Sequence, residues 1–506
     1  MKKNTVRFYV TITIVKIATK ILKLMGRNAT HLPGWLANKM CPDFLGHLEK
    51  PEKLVYITGT NGKTTVSNLT AEILKDNGYD YINNASGSNV SEGVVSALLA
   101  KSSFFGKARC NLAVLEVDER YSPLIYPYMQ PDYILCTNLF RDSYKRNAHA
   151  EFISGILNSQ IPAHTKMILN GEDLISNHLA MGNDRCYFGI NCPDGHSTPN
   201  NIIKDIIACP ECGAKLEYDY IRYNHIGRAH CPNCDFGSPD MDYTVEKIDY
   251  ENHRCMVKTP EGLYDFKLIG NNVTDIYNMI AAIALLSQLG LDIGKIQTSF
   301  EKMKIAETRY HSEMVGGKEV VMNLAKGQNP IACSRVCDFI RHEEGTKTVV
   351  CMVDDYYDAK ESSENIAWIF DIDFEFLNDD SIKQIVLTGV RHQDFHLRLL
   401  MAGIPEERIV CCEHEVDAAK YIDCDLSDKF YLSKPYLSKY IKEKSGMTFG
   451  ELVKNVRLKK AKTLLKTSSM TVESIALSVG YQNVEHFNRL FKKAFNMTPV
   501  QFRNKK

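Results

Sequence analysis

Residues 58–65 read Thr-Gly-Thr-Asn-Gly-Lys-Thr-Thr, behind the apolar run Leu54-Val55-Tyr56-Ile57 and ahead of a helical pattern over 66–77. Strand, glycine loop and helix, in that order, form the setting in which such a loop binds phosphate. Gly59 and Gly62 let the backbone turn its N–H groups toward an anion, and the helix start adds the positive end of its dipole. Lys63 is long enough to reach outer phosphates, and the Thr64 hydroxyl is of the kind that binds Mg²⁺. With Thr58, Thr60, Asn61 and Thr65 the loop is complete, and it predicts a nucleotide site.

Further along, Asn84-Ala-Ser-Gly87-Ser-Asn89 is turn-rich and is followed by a strand pattern, Leu112-Ala-Val-Leu-Glu116-Val-Asp118-Glu119. A carboxylate closing an apolar strand downstream of a phosphate loop is a natural Mg²⁺ ligand, and Glu116 directly ends the run. A further strand pattern, Tyr133-Ile-Leu-Cys-Thr137, leads into Asn138-Leu-Phe-Arg141-Asp142. Strands alternating with helices predict an α/β fold whose mainly parallel sheet places ligands at its carboxyl ends.

At 506 residues the chain should hold several domains. Its formal charge is zero but unevenly spread. Residues 425–506 carry 17 Lys/Arg against 6 Asp/Glu, a net of +11, and the remainder carries 44 against 55. An acidic body with a basic tail points to two modules with different partners. No export signal is evident. The apolar stretch from Phe8 to Met25 is interrupted by Lys16, Lys20 and Lys23, too charged to span a bilayer. Ile14, Ile17, Ile21 and Leu24 recur at helical spacing, which predicts an amphipathic helix docked by that face on its own domain, with a membrane surface as the alternative. Sixteen cysteines without an export signal point to the reducing cytoplasm and to metal ligation. Four of them form Cys209-Pro-Glu-Cys212 and Cys231-Pro-Asn-Cys234, the spacing of a zinc ribbon with a closed, structural four-thiolate site.

Taken together, these motifs resemble the Mur ligase superfamily, ATP-dependent enzymes that join an amine to a carboxylate through an acyl phosphate. Within it they resemble the MurT branch, the synthetase subunits of lipid II isoglutaminyl synthase. That likeness rests on Leu32-Pro-Gly34, the 58–65 loop, Asn84…Asn89, Glu116-Val-Asp-Glu119, Thr137–Asp142, the four-cysteine ribbon, Leu324-Ala-Lys326 with Asn329-Pro330, Trp368-Ile-Phe-Asp371-Ile-Asp-Phe-Glu375 and Gly389-Val-Arg391…Arg398. The resemblance implies amidation of the D-glutamate α-carboxylate in the lipid II stem peptide, at the inner face of the membrane, with ammonia from a separate glutaminase, GatD. It also implies catalytic roles for Lys63 and Asp371, the latter toward a triad shared with the glutaminase. Asn278 is expected near the nucleotide base, Arg309 near the phosphates, and Lys326 on the substrate side. The chain departs from the pattern at 143–151, where Lys145 replaces an acid, at Asp275, and over 354–365 around Asp358.

Beyond about residue 430 the sequence changes character. Val472–Val479, Gly480 and Val484–Ala494 read as helix, turn and helix, with Gln482, Asn483, Glu485, His486 and Asn488 as candidate base-edge readers and Arg489, Lys492 and Lys493 toward phosphates. This tail resembles the AraC/XylS-type DNA-binding domain, whose long central helix would run from about 448 to 467, with the first helix-turn-helix unit clipped. The expected organisation is a helical segment at 1–48, an ATP-binding domain at 49–305 with the ribbon at 205–240, a smaller α/β domain at 306–430, and a helix-turn-helix tail at 431–506. Two function classes follow, an ATP-dependent carbon–nitrogen ligase and a DNA-binding regulator with a Mur-like sensor body. A divergent Mur-type ligase adding an amino acid is a variant of the first, and a recombination chimera joined near residue 430 is the further alternative.

Overall fold

The computed structural model describes residues 5–24, 30–84, 89–141, 149–191, 201–303, 310–315, 318–323, 329–352, 366–389, 391–413, 421–423, 426–433, 458, 461–466, 470–479, 484–495 and 497–504. They group into two compact units, 1–308 and 309–506.

Strand β1 (Lys53–Thr58) is buried from its second residue onward, on both faces, as a central parallel strand should be. It lies between β3 (Leu112–Glu116) and β4 (Tyr133–Cys136), both parallel to it. With β2 (Tyr81–Ile82), β5 (Lys166–Asn170) and β6 (Arg185–Ile190) they make a six-stranded parallel run. After the ribbon hairpin β7 (Glu217–Tyr223) and β8 (Ile226–His230), the strands β9 (Tyr243–Asp249), β10 (Arg254–Thr259) and β11 (Gly262–Lys267) extend the sheet. The order is β11-β10-β9-β6-β5-β4-β1-β3-β2.

The helix Lys63–Asp76 leaves the end of β1 through Gly62 and buries Val66, Leu69, Thr70, Ile73 and Leu74, one face at three- and four-residue spacing. That face packs against the helix Val273–Gln288, which is buried almost all round. The N-terminal segment is helical over Val6–Leu24, as expected, but it docks by the opposite face. Phe8, Thr11, Ile12 and Val15 are buried, whereas Ile14, Ile17, Ile21 and Leu24 are exposed. The expectation failed because the buried stripe is small and interrupted by a threonine, and the longer aliphatic stripe dominates the periodicity.

In the second unit, β12 (Tyr310–Val315) and β13 (Lys318–Asn323) form an antiparallel pair. Strands β14 (Lys347–Met352), β15 (Ile382–Thr388), β16 (Ile409–Cys412) and β17 (Lys429–Ser433) complete a sheet ordered β12-β13-β17-β14-β15-β16. Its last strand in sequence is thus inserted in the middle, parallel to both neighbours, and it runs across residues 430 and 431. In the tail, Leu458, Ala461, Leu465, Ile475, Ala476, Val479, Phe487 and Phe491 form a separate small core beneath the helices Val472–Ser478, Val484–Phe495 and Pro499–Asn504.

Candidate active site

The phosphate loop is shaped by two glycines with positive φ, 122° at Gly59 and 91° at Gly62. A side chain at either would also collide: a Cβ on Gly59 would lie 2.2 Å from Thr137 Oγ1, and one on Gly62 would lie 2.3 Å from Asn278 Oδ1. The turn after β4 holds the loop from the other side. Asn138 accepts from Thr60 N through its carbonyl at 2.8 Å and from Asn61 N through Oδ1 at 3.0 Å. Thr60 Oγ1 accepts from Phe140 N at 2.9 Å, and Thr137 Oγ1 donates to Asn61 O at 2.6 Å. So braced, the loop presents the start of a 14-residue helix. The N–H groups of a helix's first turn have no carbonyl of their own helix within reach.

A charge cluster fills the base of the loop. Lys63 Nζ donates to Gly59 O and to Glu119 Oε1, the latter at 3.0 Å. The same Glu119 oxygen accepts from Gly59 N at 2.7 Å and from Thr58 Oγ1 at 3.4 Å. Thr64 Oγ1 donates to both oxygens of Glu116, at 2.9 and 3.1 Å, and Asn89 Nδ2 adds a bond to Glu116 at 3.3 Å. Asn84 fixes the strand end itself, exchanging hydrogen bonds with Glu116 N and O at 2.8 and 2.9 Å. Burial is the largest influence on Lys63 and pulls its pKa down, but Glu119, by charge and hydrogen bond, and Asp118 and Glu116, by charge, outweigh it and hold the ammonium above its ordinary value. Asp118 is likewise opposed first by burial, but Arg120 and Lys63 hold its carboxyl below the usual range.

The expected Mg²⁺ pair, Thr64 and Glu116, is therefore brought together, with Thr64 open to solvent. A hydroxyl beside a carboxylate suits a hard cation with oxygen ligands. Asn278 lies against Gly62, at the phosphate loop. Thr65 sits half-buried in the first helical turn. Arg309, Lys326, Lys145 and Asp358 lie outside the described residues. In the second unit, Asp371 closes the short helix Ala367–Phe370 and is half-buried, while Asp373 is fully buried, its N–H donating to Ser334 Oγ at 2.9 Å. Arg398 pins this segment through Ile372 O and Glu375 at 2.7 and 2.8 Å.

The four ribbon cysteines converge: Cys209 and Cys234 sulfurs are 3.5 Å apart, Cys212 and Cys231 sulfurs 3.4 Å. These separations are far too long for disulfides, near 2.05 Å, and suit four thiolates each about 2.3 Å from one Zn²⁺. His225, in the turn between β7 and β8, is not part of this cluster. It is fully buried elsewhere, its Nε2 3.1 Å from Asp173, and its ring 4.6 Å from that of Phe140. Asp173 also accepts from Leu139 N at 2.7 Å, and Arg141 pairs with Asp205 at 2.5 Å. The ribbon is thereby tied to the turn that braces the phosphate loop. Glu119 is the other residue whose role was missed. It was visible only as the last acid of Glu116-Val-Asp-Glu119.

Residues 57–181 match the Mur ligase middle domain, 326–438 the MurT ligase C-terminal domain, and 426–505 a helix-turn-helix domain. The lipid II isoglutaminyl synthase (glutamine-hydrolyzing) subunit MurT of Staphylococcus aureus (strain COL) is 32% identical over 408 residues, covering 80% of this chain and 90% of that protein. The chain belongs to the MurT family of Mur ligases. Among solved structures, a pseudomurein peptide ligase type C from Methanothermus fervidus shares the fold, with a TM-score of 0.59 at 21% identity, covering 81% of this chain and 82% of that one.

MurT membership makes the chain a member of a family of ATP-dependent ligases in peptidoglycan synthesis. The helix-turn-helix tail is an addition to that body. The probable transcription factor PqrA of Proteus vulgaris is 38% identical over 78 residues, 15% of this chain and 64% of that protein. In the tail, Arg489, Lys492 and Lys493 are exposed on Val484–Phe495, and Asn488 is half-buried with its side-chain oxygen shielded from solvent. Gln482 and Asn483 lie outside the described residues, as do the Glu485 and His486 side chains. The MurT and helix-turn-helix matches overlap at 426–438, the stretch containing β17.

The Lys63–Glu119 pair yields a test. A lysine with a raised pKa adds stability below its unfolded pKa and loses it only as pH rises through the folded value, so the pair's contribution is intact at neutral pH. Glu119→Gln keeps an acceptor for Gly59 N but removes the charge, and should destabilise the nucleotide-free protein by about 3 kcal/mol. Mg²⁺-ATP should then raise the melting temperature of Glu119→Gln more than that of the wild type, because phosphate oxygens give Lys63 a new partner. Thermal denaturation with and without nucleotide measures both.

Proposed function

We propose that this chain is the synthetase subunit of a lipid II amidating enzyme. With ATP it converts the α-carboxylate of D-glutamate in the lipid II stem peptide to the amide of D-isoglutamine. The observation that carries this reading is the braced phosphate loop, with Lys63 on Glu119 and Thr64 on Glu116, in a chain aligned along 90% of a MurT subunit. A carboxylate oxygen attacks the γ-phosphorus and ADP leaves, giving an acyl phosphate. The nitrogen of ammonia then attacks the acyl carbon, phosphate leaves, and a proton is lost to solvent.

Lys63 neutralises charge on the outer phosphates, and the loop's N–H groups hold them in line with the incoming carboxylate. Thr64 and Glu116 would hold Mg²⁺, which offsets the charge shared by the phosphates. Family likeness assigns Asn278 to the nucleotide and Arg309 to its phosphates. Cys209, Cys212, Cys231 and Cys234 would hold a structural Zn²⁺, stabilising the insertion. Ammonia comes from a GatD-type glutaminase subunit, and Asp371 is the residue assigned to orient a histidine of that partner. The reaction belongs in the cytoplasm at the inner face of the membrane, where a lipid-linked substrate is reached. Among the described residues no helix is long and apolar enough to cross a membrane.

A second reading is favoured by the helix-turn-helix match at 426–505 and the exposed Arg489, Lys492 and Lys493: the tail binds DNA. A gel shift of the full chain on random duplex DNA at low salt should show retardation, lost on Arg489→Ala/Lys492→Ala/Lys493→Ala. Equal mobility with and without protein removes this reading. The ligase is tested by incubating the full chain with lipid II, ATP, Mg²⁺ and excess ammonium salt, which bypasses the glutaminase. Mass spectrometry should find the amidated stem peptide, reduced by at least about a hundredfold in Lys63→Ala. No amide from a folded, ATP-binding chain would sink the proposal.

A further inference from the structure

The helix Val6–Leu24 carries two apolar stripes on opposite sides. At 3.6 residues per turn, Phe8, Ile12 and Val15 share one side, the one sunk into the core. Tyr9, Val10, Ile14, Ile17, Ile21 and Leu24 share the other and are 41% to 80% exposed. The patch does not end with the helix. Lys16 Nζ donates to Leu99 O at 2.9 Å and Ser102 O at 2.7 Å, and lies 5.5 Å from the ring centroid of Phe104. Phe104 and its neighbour Phe105 are 55% and 69% exposed. Lys16 thus fastens an exposed aromatic turn beside the outer stripe.

The stretch of sequence that carries this helix has charge of one sign. Residues 1–42 contain eight Lys/Arg and no Asp or Glu, whereas residues 43–424 contain 36 against 55. On the helix itself Lys20 is exposed at the edge of the stripe. A lysine at the margin of an aliphatic strip can lay its stem on an apolar phase while its ammonium group reaches the polar boundary. A second copy of this chain fits poorly, because a two-fold contact would set one cationic segment against the other. A nucleic acid would use the cations and leave the aliphatic stripe in water.

We propose that the outer face of Val6–Leu24, with the Phe104–Phe105 turn, docks on an anionic lipid bilayer, the helix lying in the plane of the interface. Anionic headgroups meet the basic segment, and the aliphatic stripe enters the acyl boundary. Docking of this face needs neither substrate nor nucleotide, so its test is independent of the ligase reading. The experiment is flotation of the full-length protein with vesicles of phosphatidylcholine alone or with about one-third phosphatidylglycerol.

The wild type should float with the anionic vesicles and much less with the zwitterionic ones. Ile14→Ser/Ile17→Ser/Ile21→Ser, at exposed positions, should weaken partitioning by about tenfold or more. Lys20→Glu should weaken it by about fivefold at low salt. Unchanged ATP binding in both variants reports that they are folded. Three results would overturn the proposal: no flotation of the wild type, flotation unaltered in the triple variant, or a solution dimer that the triple variant converts to monomer.

Discussion

Everything at the nucleotide site depends on keeping a lysine charged at the bottom of a closed loop. A buried ammonium alone would be costly, and the chain offsets that cost with Glu119, which also accepts from the loop's own backbone at Gly59. One carboxylate therefore sets both the charge of Lys63 and the path of the chain around it. On the proposed function, a phosphate arriving at the loop would exchange one anionic partner of Lys63 for another. The site can thus be organised before nucleotide binds, and little reorganisation is needed when it does.

The sheet supplies the placement. Ile57 is in register with Glu116 on one side of β1, and Thr58 with Cys136 on the other, so loop, acid and bracing turn all emerge at the same carboxyl edge. Asn278 reaches that edge from the helix Val273–Gln288, packed on the helix that the loop begins. The ribbon, inserted between β6 and β9, is anchored to the same edge by His225 on Asp173 and by Arg141 on Asp205. The insertion is in this way connected to the loop's bracing turn through Leu139 and Phe140.

Much of this was legible in the sequence because its signals are local. Glycine placement, an apolar run of strand length and two C-x-x-C knuckles each specify geometry within a few residues, and Lys63, Thr64, Glu116 and the four cysteines follow from them. Glu119 and His225 were not legible, because their partners lie 56 and 52 residues away and no spacing rule links them. The N-terminal helix misled in a different way. Periodicity finds an apolar face but does not say which apolar face is inside, and here the longer one is outside. At Lys429–Ser433 two patterns compete for one segment. A helix-turn-helix match begins at residue 426, yet the stretch is taken as a central strand, with Phe430 and Tyr431 buried in the sheet of the second unit. Local pattern yields there to sheet pairing on both sides.

The proposed reaction requires that this site activate a carboxylate by phosphorylation. Its most direct test is isotope transfer, with ¹⁸O in the α-carboxylate of the stem-peptide D-glutamate, ATP, Mg²⁺ and ammonium, and mass analysis of the phosphate released. An acyl phosphate intermediate requires one labelled oxygen in each phosphate formed with the amide. Amide formed with unlabelled phosphate would contradict the claim.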